Sequence, residues 1–228
     1  MQTKTIRVRK STVFLLVIFI LGAIMVTSVV KSYTKYSEEQ DMPAADTSAD
    51  YSGMELIQLE APAAGAETAV ISTTAGDITL VLYPDEAPEA VKRFKSEAES
   101  GVYDGMTAGL YDLKSVFTLD SPSEEPYTPE LSINLWPFRG AVCMTEKGDI
   151  VFVNDAGLSE SDKEYLRSDE SELKEVSKAF ADIGGIPNYS RVYAVFAQVI
   201  DGVDVVENIC KSGDTVVTIE NITFGTLE

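Results

Sequence analysis

The chain has no histidine and only two cysteines among its 228 residues. Without imidazole, no side chain has its ordinary pKa close to neutral pH, so a histidine acid, base or metal ligand is excluded. The cysteines, Cys143 and Cys210, lack the close spacing of metal-binding motifs. The sequence therefore predicts neither a metal site nor a bound cofactor.

The same two cysteines bear on the redox state of the chain. Cys143 lies in a predicted strand and Cys210 at the end of a helix predicted over residues 204–210. Because these are the two cysteines of the chain, they could form a disulfide only with each other. An exported location would permit this bond. Both residues have apolar neighbours in the sequence, which favours the alternative of two buried free thiols.

Basic residues are scarce outside the N-terminus. The chain has 18 lysines and arginines against 37 aspartates and glutamates, a net charge of −19. Six of the bases and none of the acids fall in residues 1–35, which leaves 12 bases against 37 acids, or −25, on the remainder. So acidic a domain is repelled by nucleic acid and by anionic membrane surfaces, and nucleic acid is excluded as a partner.

Residues 12–30 form a run of 19 residues without a charge, long enough to cross a bilayer as a helix. Four bases precede the run and two follow it, namely Lys4, Arg7, Arg9, Lys10, Lys31 and Lys35. The larger basic cluster is expected to stay in the cytoplasm, so residues 1–11 form a cytoplasmic tail and the rest of the chain lies outside the cell membrane. A cleaved signal peptide is the alternative. The length of the run and the lack of an A-x-A-like site favour an uncleaved, single-pass signal-anchor.

Residues 31–66 have the composition of a flexible linker, rich in Ser, Ala, Asp and Glu and without sustained periodicity. One short apolar patch, residues 54–59, interrupts this stretch. The patch is interpreted either as an edge strand or as a chance feature of the linker, and the second interpretation is preferred.

From residue 67 the pattern changes to that of a strand, a turn, a second strand and a helix. Residues 69–73 predict the first strand, and the Ala-Gly-Asp at 75–77 predicts a tight turn. Pro84 ends the second strand because it has no N–H for a ladder hydrogen bond. Pro88 suits the first turn of a helix, and Gly101 suits its C-terminal end.

Many residues of this stretch recur at the spacing T-x-x-G-D-I-x-L-x-L-Y-x-x-x-A-P-x-x-V-x-x-F, followed by G-x-Y-D-G. They are Thr73, Gly76, Asp77, Ile78, Leu80, Leu82, Tyr83, Ala87, Pro88, Val91, Phe94, Gly101, Tyr103, Asp104 and Gly105. This pattern resembles the opening of cyclophilin-type peptidyl-prolyl isomerases. Residues 139–144 resemble the R-G-x-x-x-M strand of the same family, and residues 184–187 and 195–206 resemble its G-G-x-P and V-F-G-x-V-x-x-G-x-D-V-V blocks.

The resemblance predicts a mainly β domain over residues 67–228. Its implied fold is a closed antiparallel β-barrel with capping helices, preceded in this chain by one transmembrane helix. Residues 213–224 are expected to supply the closing strand, which removes the open edge of the sheet. Residues 159–183 predict a helical insertion, with Val176 and Phe180 on an apolar face. A helix that covers the barrel is preferred for this insertion over one that docks a partner.

The resemblance also implies a chemistry, the rotation of prolyl peptide bonds over a barrier of about 18–20 kcal/mol. A cation directed at the prolyl nitrogen lowers that barrier, and the family uses the arginine of an F-H-R-V motif for this. Aligned without gaps, the arginine position is Leu110 in this chain. Lys114 is the base nearby, and Arg191 is the candidate substitute, with an ordinary solvated charge as the alternative interpretation of Arg191.

The implied proline pocket supplies the candidate substrate-binding residues. They are Val116, Thr118, Phe152, Tyr189 and Tyr193. Thr118 stands at the position of a family glutamine and Tyr193 at that of a family histidine, whereas Phe152 keeps an aromatic side chain. Aromatic residues on short strands often belong to a core, so Phe152 has a structural interpretation as well.

These features together predict a membrane-anchored, extracytoplasmic cyclophilin-type isomerase-like protein. Its expected partners are proline-containing segments of exported proteins. Its isomerase activity is expected to be weak or lost because the arginine is missing. Two alternatives have no catalytic role: a chaperone that binds extended peptides, and a scaffold module that docks onto a membrane complex.

Overall fold

The computed structural model describes residues 48–111, 115–123, 125–212 and 216–228, without the side chains of Leu110 and Tyr111. The predicted cytoplasmic tail, residues 1–11, and the predicted signal-anchor, residues 12–30, lie outside the described residues. Within the described ranges, no helix has the length and apolar character needed to cross a membrane.

Eight strands of the described chain form one antiparallel sheet. They are β1 Glu67–Thr73, β2 Gly76–Leu82, β3 Gly109–Tyr111, β4 Val116–Leu119, β5 Ala141–Met144, β6 Ile150–Val153, β7 Ala194–Asp201 and β8 Ile219–Thr226. Their order across the sheet is β3-β4-β6-β5-β7-β2-β1-β8. The predicted hairpin is confirmed as β1 and β2, whose register places Thr73 opposite Gly76.

The two end strands, β3 and β8, are joined through the segments that precede them. Three backbone hydrogen bonds of 2.8–2.9 Å link residues 105–108 to residues 217–219. An isolated bridge pairs Thr107 with Thr218 in the same place. The sheet is therefore barrel-like, but a short bridged segment replaces the continuous ladder between end strands that the predicted closed barrel implied.

Four α-helices accompany the sheet in the described ranges. They are α1 Pro88–Glu99, α2 Glu160–Arg167, α3 Lys174–Ile183 and α4 Val203–Lys211. Helix α1 begins at Pro88 as predicted, because the first helical turn needs no N–H donor there. The predicted insertion is two helices, and Ser159 caps the first of them by accepting from the Asp162 N–H.

The interior of the barrel is filled by alternate strand residues and by one face of α1. Phe94 projects from α1 into this core, with its ring centroid 5.3 Å from that of Phe196 and 6.0 Å from that of Tyr103. All three side chains are fully buried. Aromatic contacts of this kind add to the free energy of area burial, so they hold α1 firmly against the sheet.

Helix α3 packs on a separate cluster outside the barrel core. Its Val176 and Phe180 are buried together with Trp136 and Phe138. The rings of Phe138 and Phe180 meet edge to face, with centroids 4.8 Å apart. The apolar face of the insertion thus covers the domain, as the covering-helix interpretation predicts, while Ile183 at the end of α3 is exposed.

The structure differs from the sequence prediction in the segment before β1. The predicted linker runs to residue 66, but Tyr51, Met54 and Leu56 pack against the cluster that contains Trp136. The ring centroids of Tyr51 and Trp136 are 6.0 Å apart. Removal of these apolar side chains from water stabilises the docked segment, so the domain begins well before residue 67.

Polar contacts hold the same segment. The Gln58 side chain donates to the Gln198 amide oxygen at 2.8 Å and accepts from the Trp136 backbone N–H at 2.6 Å. The patch at residues 54–59 therefore belongs to the domain, partly as the 3₁₀ helix Ile57–Leu59 and not as an edge strand.

The two cysteines are free and buried in different clusters. Cys143 lies outside the barrel on β5, whereas Cys210 of α4 lies in the barrel core. Burial raises the pKa of Cys210 to about 12 and also raises the pKa of Cys143. Both thiols therefore stay protonated, and the preferred prediction of free thiols is confirmed.

We expect the substitution Gln58→Ala to lower the free energy of unfolding by about 1–3 kcal/mol, because it leaves the buried Trp136 N–H and the Gln198 amide without their partner. Urea unfolding of the purified protein measures the change. Glu60→Ala, two residues away and exposed, is the matched control and should leave stability unchanged. Equal stability of both variants would contradict the docking of this segment.

Candidate functional site

The candidate site is built on the outer face of the sheet, where one row of residues crosses five strands. Thr118 of β4 is paired with Gly109 of β3 on one side and with Val151 of β6 on the other. Val151 is paired with Cys143 of β5, and Cys143 with Val195 of β7. Residues directly opposite one another in antiparallel strands share a face, so these five form a continuous row.

The row is apolar except at Thr118. Its Val151, Cys143 and Val195 belong to a buried cluster that also contains Val116. Thr118 is 8% exposed, and its buried Oγ1 has no hydrogen-bond partner in the described part of the chain. Two of the predicted substrate-binding residues, Val116 and Thr118, therefore lie on this outer face.

The prediction for Phe152 is corrected by the structure. Phe152 is fully buried in the barrel core, and its ring is stacked on that of Phe117 at 4.3 Å, with 6° between the planes. The side chain therefore points away from the face that carries Thr118. Alternation along β6 gives the reason: Phe152 lies between Val151 and Val153, which both face outward.

Tyr189 and Tyr193, the other predicted substrate-binding residues, pack over this outer cluster. Their rings meet edge to face, with centroids 5.0 Å apart. Burial, above all, raises the pKa of Tyr193, with further contributions from Cys143, Glu146 and Asp149. The structure thus brings Tyr189 and Tyr193 together with Val116, as partly buried side chains over an apolar face.

Strand β3 carries no cation. Its three residues are Gly109, Leu110 and Tyr111, so neither face of the strand can present an ammonium or a guanidinium group. The register places Leu110 opposite Phe117 and Gly109 opposite Thr118. The β3 position that shares a face with Thr118 is therefore Gly109 and not Leu110, which the gapless alignment had assigned.

Arg191, the predicted substitute cation, is partly buried and bound to a loop. Its Nη1 donates to the backbone carbonyls of Leu131 and Ser132, the second at 3.1 Å. Its φ of +60° lies in the left-handed region, which an arginine seldom adopts. These contacts give Arg191 a part in holding the loop around Leu131 and do not match the alternative of a freely solvated charge.

An open cavity adjoins the covered face. Its volume is about 460 Å³, and it is lined by Ser121, Ser123, Glu125, Pro126, Tyr127, Glu146, Lys147 and Asp149. Leu119 and Ile150 form the last residue pair between β4 and β6. Asp149 directly precedes Ile150, and Ser121 lies two residues after Leu119. The cavity therefore begins roughly 7–10 Å along the strands from the Thr118–Val151 pair.

Two segments form the walls of this cavity, residues 121–123 with 125–127 after β4, and the turn at 145–149 between β5 and β6. The Ser121 N–H donates to the Asp149 carboxylate at 2.9 Å, and the Tyr127 N–H donates to the Glu146 carbonyl at 2.9 Å. These bonds join the segments at both ends. The cavity is thus built into the fold, with a volume in the usual range of ligand sites.

The cavity is acidic. Glu125, Glu146 and Asp149 contribute three carboxylates against the single ammonium of Lys147. Burial, above all, raises the pKa of Tyr127. The hydrogen bond from the Glu130 backbone N–H opposes this rise and the Glu130 charge adds to it, so the phenol stays neutral. No cluster of potential metal ligands is found among the described residues. The site can therefore offer hydrogen bonds and a negative field to a ligand.

Sequence reasoning missed every residue that lines this cavity. Their types are ordinary for loops, and the two segments are separated by about twenty residues of sequence with no shared motif. Gly148 is the local signal of a turn in this stretch, but a turn does not indicate which other loop it will contact in the folded chain.

Comparison with known families agrees with this geometry. The family model described as cyclophilin type peptidyl-prolyl cis-trans isomerase/CLD matches residues 68–108. The match ends one residue before β3, the strand in which the family's arginine motif is absent.

Two curated bacterial relatives are named provisionally after the same activity. A peptidyl-prolyl cis-trans isomerase of Staphylococcus saprophyticus is 29% identical over 181 residues, which cover 70% of this chain and 89% of the relative. A bifunctional phosphatase/peptidyl-prolyl cis-trans isomerase of Streptococcus pyogenes is 29% identical over 147 residues, which cover 58% of this chain and 31% of the relative.

Solved structures show the same fold. The cyclophilin type peptidyl-prolyl cis-trans isomerase of Cryptosporidium parvum superposes with a TM-score of 0.54 at 14% identity, over 72% of this chain and 99% of that one. A second crystal structure of that protein, in the presence of the dipeptide Ala-Pro, gives 0.51 at 15% identity over 69% and 98%. With the family match over residues 68–108 and the bacterial relatives, these findings show that the chain is similar to the cyclophilin family in sequence and has its fold.

We expect Phe152→Ala to lower the free energy of unfolding by roughly 3–5 kcal/mol, because it leaves a cavity in the barrel beside Phe117. Urea unfolding measures the loss. Tyr165→Ala, which removes an aromatic ring that is 79% exposed, is the control and should change stability little. A Phe152→Ala protein of unchanged stability would return Phe152 to the list of candidate binding residues.

Proposed function

We propose that this protein is a membrane-anchored, extracytoplasmic member of the cyclophilin family that binds proline-containing segments of exported proteins, with weak or no isomerase turnover. The observation that carries the proposal is the composition of β3, Gly109-Leu110-Tyr111, which holds no cation beside the outer row. Among the described residues beside this face, none would offer a prolyl amide a positive charge to draw electron density to its nitrogen, and Lys114 lies outside the described residues.

The apolar cover over the row also supports weak turnover. Val116 and Val151 are nearly inaccessible, with exposures of 1% and 4%. Tyr189 and Tyr193 pack against the cluster to which both valines belong. A proline ring would have to displace this cover to reach Thr118, whose unpartnered hydroxyl is the single polar group of the row.

Binding, in contrast, is supported by the cavity. It is open, hydrogen-bonding and acidic, and it lies next to the face that the family likeness connects with proline. Three carboxylates against one ammonium favour a positively charged side chain of an extended client. The cavity can hold a peptide whether or not the covered row takes part.

The location rests on the sequence. An uncharged run over residues 12–30 with its larger basic cluster on the N-terminal side supports an anchor whose C-terminal domain faces outward. Exported proteins would then be the available clients. The alternatives remain a non-catalytic peptide-binding chaperone and a scaffold module, and the second is favoured only if no peptide binds.

We expect the purified protein to catalyse prolyl isomerisation of a chromogenic tetrapeptide with a rate constant at least about 10²-fold below that of an arginine-containing cyclophilin assayed in parallel. The reason is that the loss of one charged donor to the transition state costs a factor of this size or more. Arg191→Gln should have the same rate as the unsubstituted protein, because the Arg191 guanidinium is bound to loop carbonyls. Strong turnover that disappears in Arg191→Gln would assign the missing cation to Arg191 and refute loss of activity.

We expect an Ala-Lys-Ala-Pro-Gly peptide to bind more tightly than Ala-Glu-Ala-Pro-Gly, by several-fold at low salt, because the cavity carboxylates attract the lysine. Chemical-shift mapping and calorimetry measure the two affinities. Glu146→Gln should narrow the difference, whereas Glu164→Gln, on the exposed surface of α2, should not. Binding of neither peptide would favour the scaffold alternative.

A further inference from the structure

Arg93 of helix α1 lies behind the cavity and is largely buried. Its side chain is 16% exposed, and its Nε donates to Glu97 one turn along the helix at 3.0 Å. Glu97 is itself 13% exposed, and its second carboxylate oxygen accepts from the Tyr103 hydroxyl at 2.6 Å. This chain of contacts fixes the plane of the guanidinium group.

The remaining donors of Arg93 reach both walls of the cavity. Nη1 donates to the Glu125 carbonyl at 3.1 Å, and Nη2 donates to the Ser121 hydroxyl at 2.9 Å, which are contacts to the first wall. Nη2 also donates to the Lys147 carbonyl at 3.4 Å, which is a contact to the second wall. One guanidinium group therefore joins two segments that approach each other only in the folded chain.

Gly148 allows this arrangement. A Cβ atom at Gly148 would lie 2.2 Å from Nη2 and 2.4 Å from Cζ of Arg93, and the residue has a φ of +89°. The backbone of the turn thus lies directly on the guanidinium group. A glycine is needed here both for the close approach and for the left-handed conformation.

A second ion pair on the same helix shows what is particular to Arg93. Lys95 contacts Glu67 of β1 at 2.7 Å and lies over the ring of Phe224, away from the cavity. That pair connects α1 to the barrel wall alone. Arg93 instead uses its forked geometry to contact several carbonyl and hydroxyl oxygens at once, which the single ammonium of a lysine does not reproduce.

We propose that Arg93 is a positioning residue that sets the separation of the two cavity walls and thereby the affinity and selectivity of the cavity for peptides. This inference rests on the proposed peptide-binding function. Arg93 does not touch the ligand in this scheme. It acts through Ser121, Glu125 and Lys147, whose positions define the mouth of the cavity.

The test compares Arg93→Met, Arg93→Lys and Lys95→Met in the full-length protein purified in detergent. Lys95→Met is the matched control, since it removes one positive charge and one ion pair from the same helix without touching the cavity. We expect Arg93→Met to weaken binding of Ala-Lys-Ala-Pro-Gly about tenfold and Lys95→Met to change it less than twofold. Arg93→Lys should have a higher free energy of unfolding than Arg93→Met. It should bind the peptide as weakly as Arg93→Met does, because an ammonium group cannot contact both walls as the guanidinium group does. Unchanged affinity in Arg93→Met, or an equal loss in Lys95→Met, would overturn the proposal.

Amide hydrogen exchange of the peptide-free proteins separates this inference from the proposed function. Residues 121–123, 125–127 and 145–149 should exchange faster in both Arg93 variants and at the original rate in Lys95→Met. If the unsubstituted protein binds no peptide, the proposed function fails, while faster exchange in both walls still supports the positioning of the loops by Arg93. Unchanged exchange in the Arg93 variants would refute that positioning whatever the peptide does.

Discussion

Side-chain alternation across β4, β6 and β5 is the constraint on which the candidate site depends. Phe117 and Phe152 stack in the interior, so their neighbours along the strands, Thr118 and Val151, are placed on the outer face. A shift of one residue in the strand register would move the interior side chains to the outer face and the outer side chains into the interior. The aromatic pair inside the barrel therefore decides which residues lie on the outer face, although neither ring lies on that face.

The chemistry of that outer face follows from what covers it and from what is missing beside it. Tyr189 and Tyr193 pack against the buried cluster that contains Val151, Cys143 and Val195 of the row, and burial strengthens any electrostatic interaction there. Strand β3, however, supplies no charge for such an interaction. The adjoining cavity has the opposite character, since it is open and acidic. The fold seen in cyclophilins is thus retained, with a covered outer face and a separate open, acidic cavity.

Helix α1 contacts both the barrel core and the loops that form the cavity. Phe94 anchors it in the barrel core, while Arg93, the preceding residue, reaches the loops of the cavity. The segment before β1 has a similar part on the other side of the domain, where Gln58 joins Gln198 to the backbone of Trp136. In both places a single polar side chain holds together segments that are distant in sequence, and the surrounding apolar contacts fix its position.

The sequence by itself determined the first hairpin, the start of α1 and the likeness to the cyclophilin family, because glycine, proline and period-2 patterns act over a few residues. It also placed Leu110, and not an arginine, at the family's arginine position. It did not show which way Phe152 faces, because all four residues of β6 are apolar and buried, and no polar alternation marks the outer side. Only the tertiary structure decided that face, the docking of the segment around Gln58 and the cavity held by Arg93. Each of these depends on contacts between residues far apart along the chain, and their spacing carries no local signal.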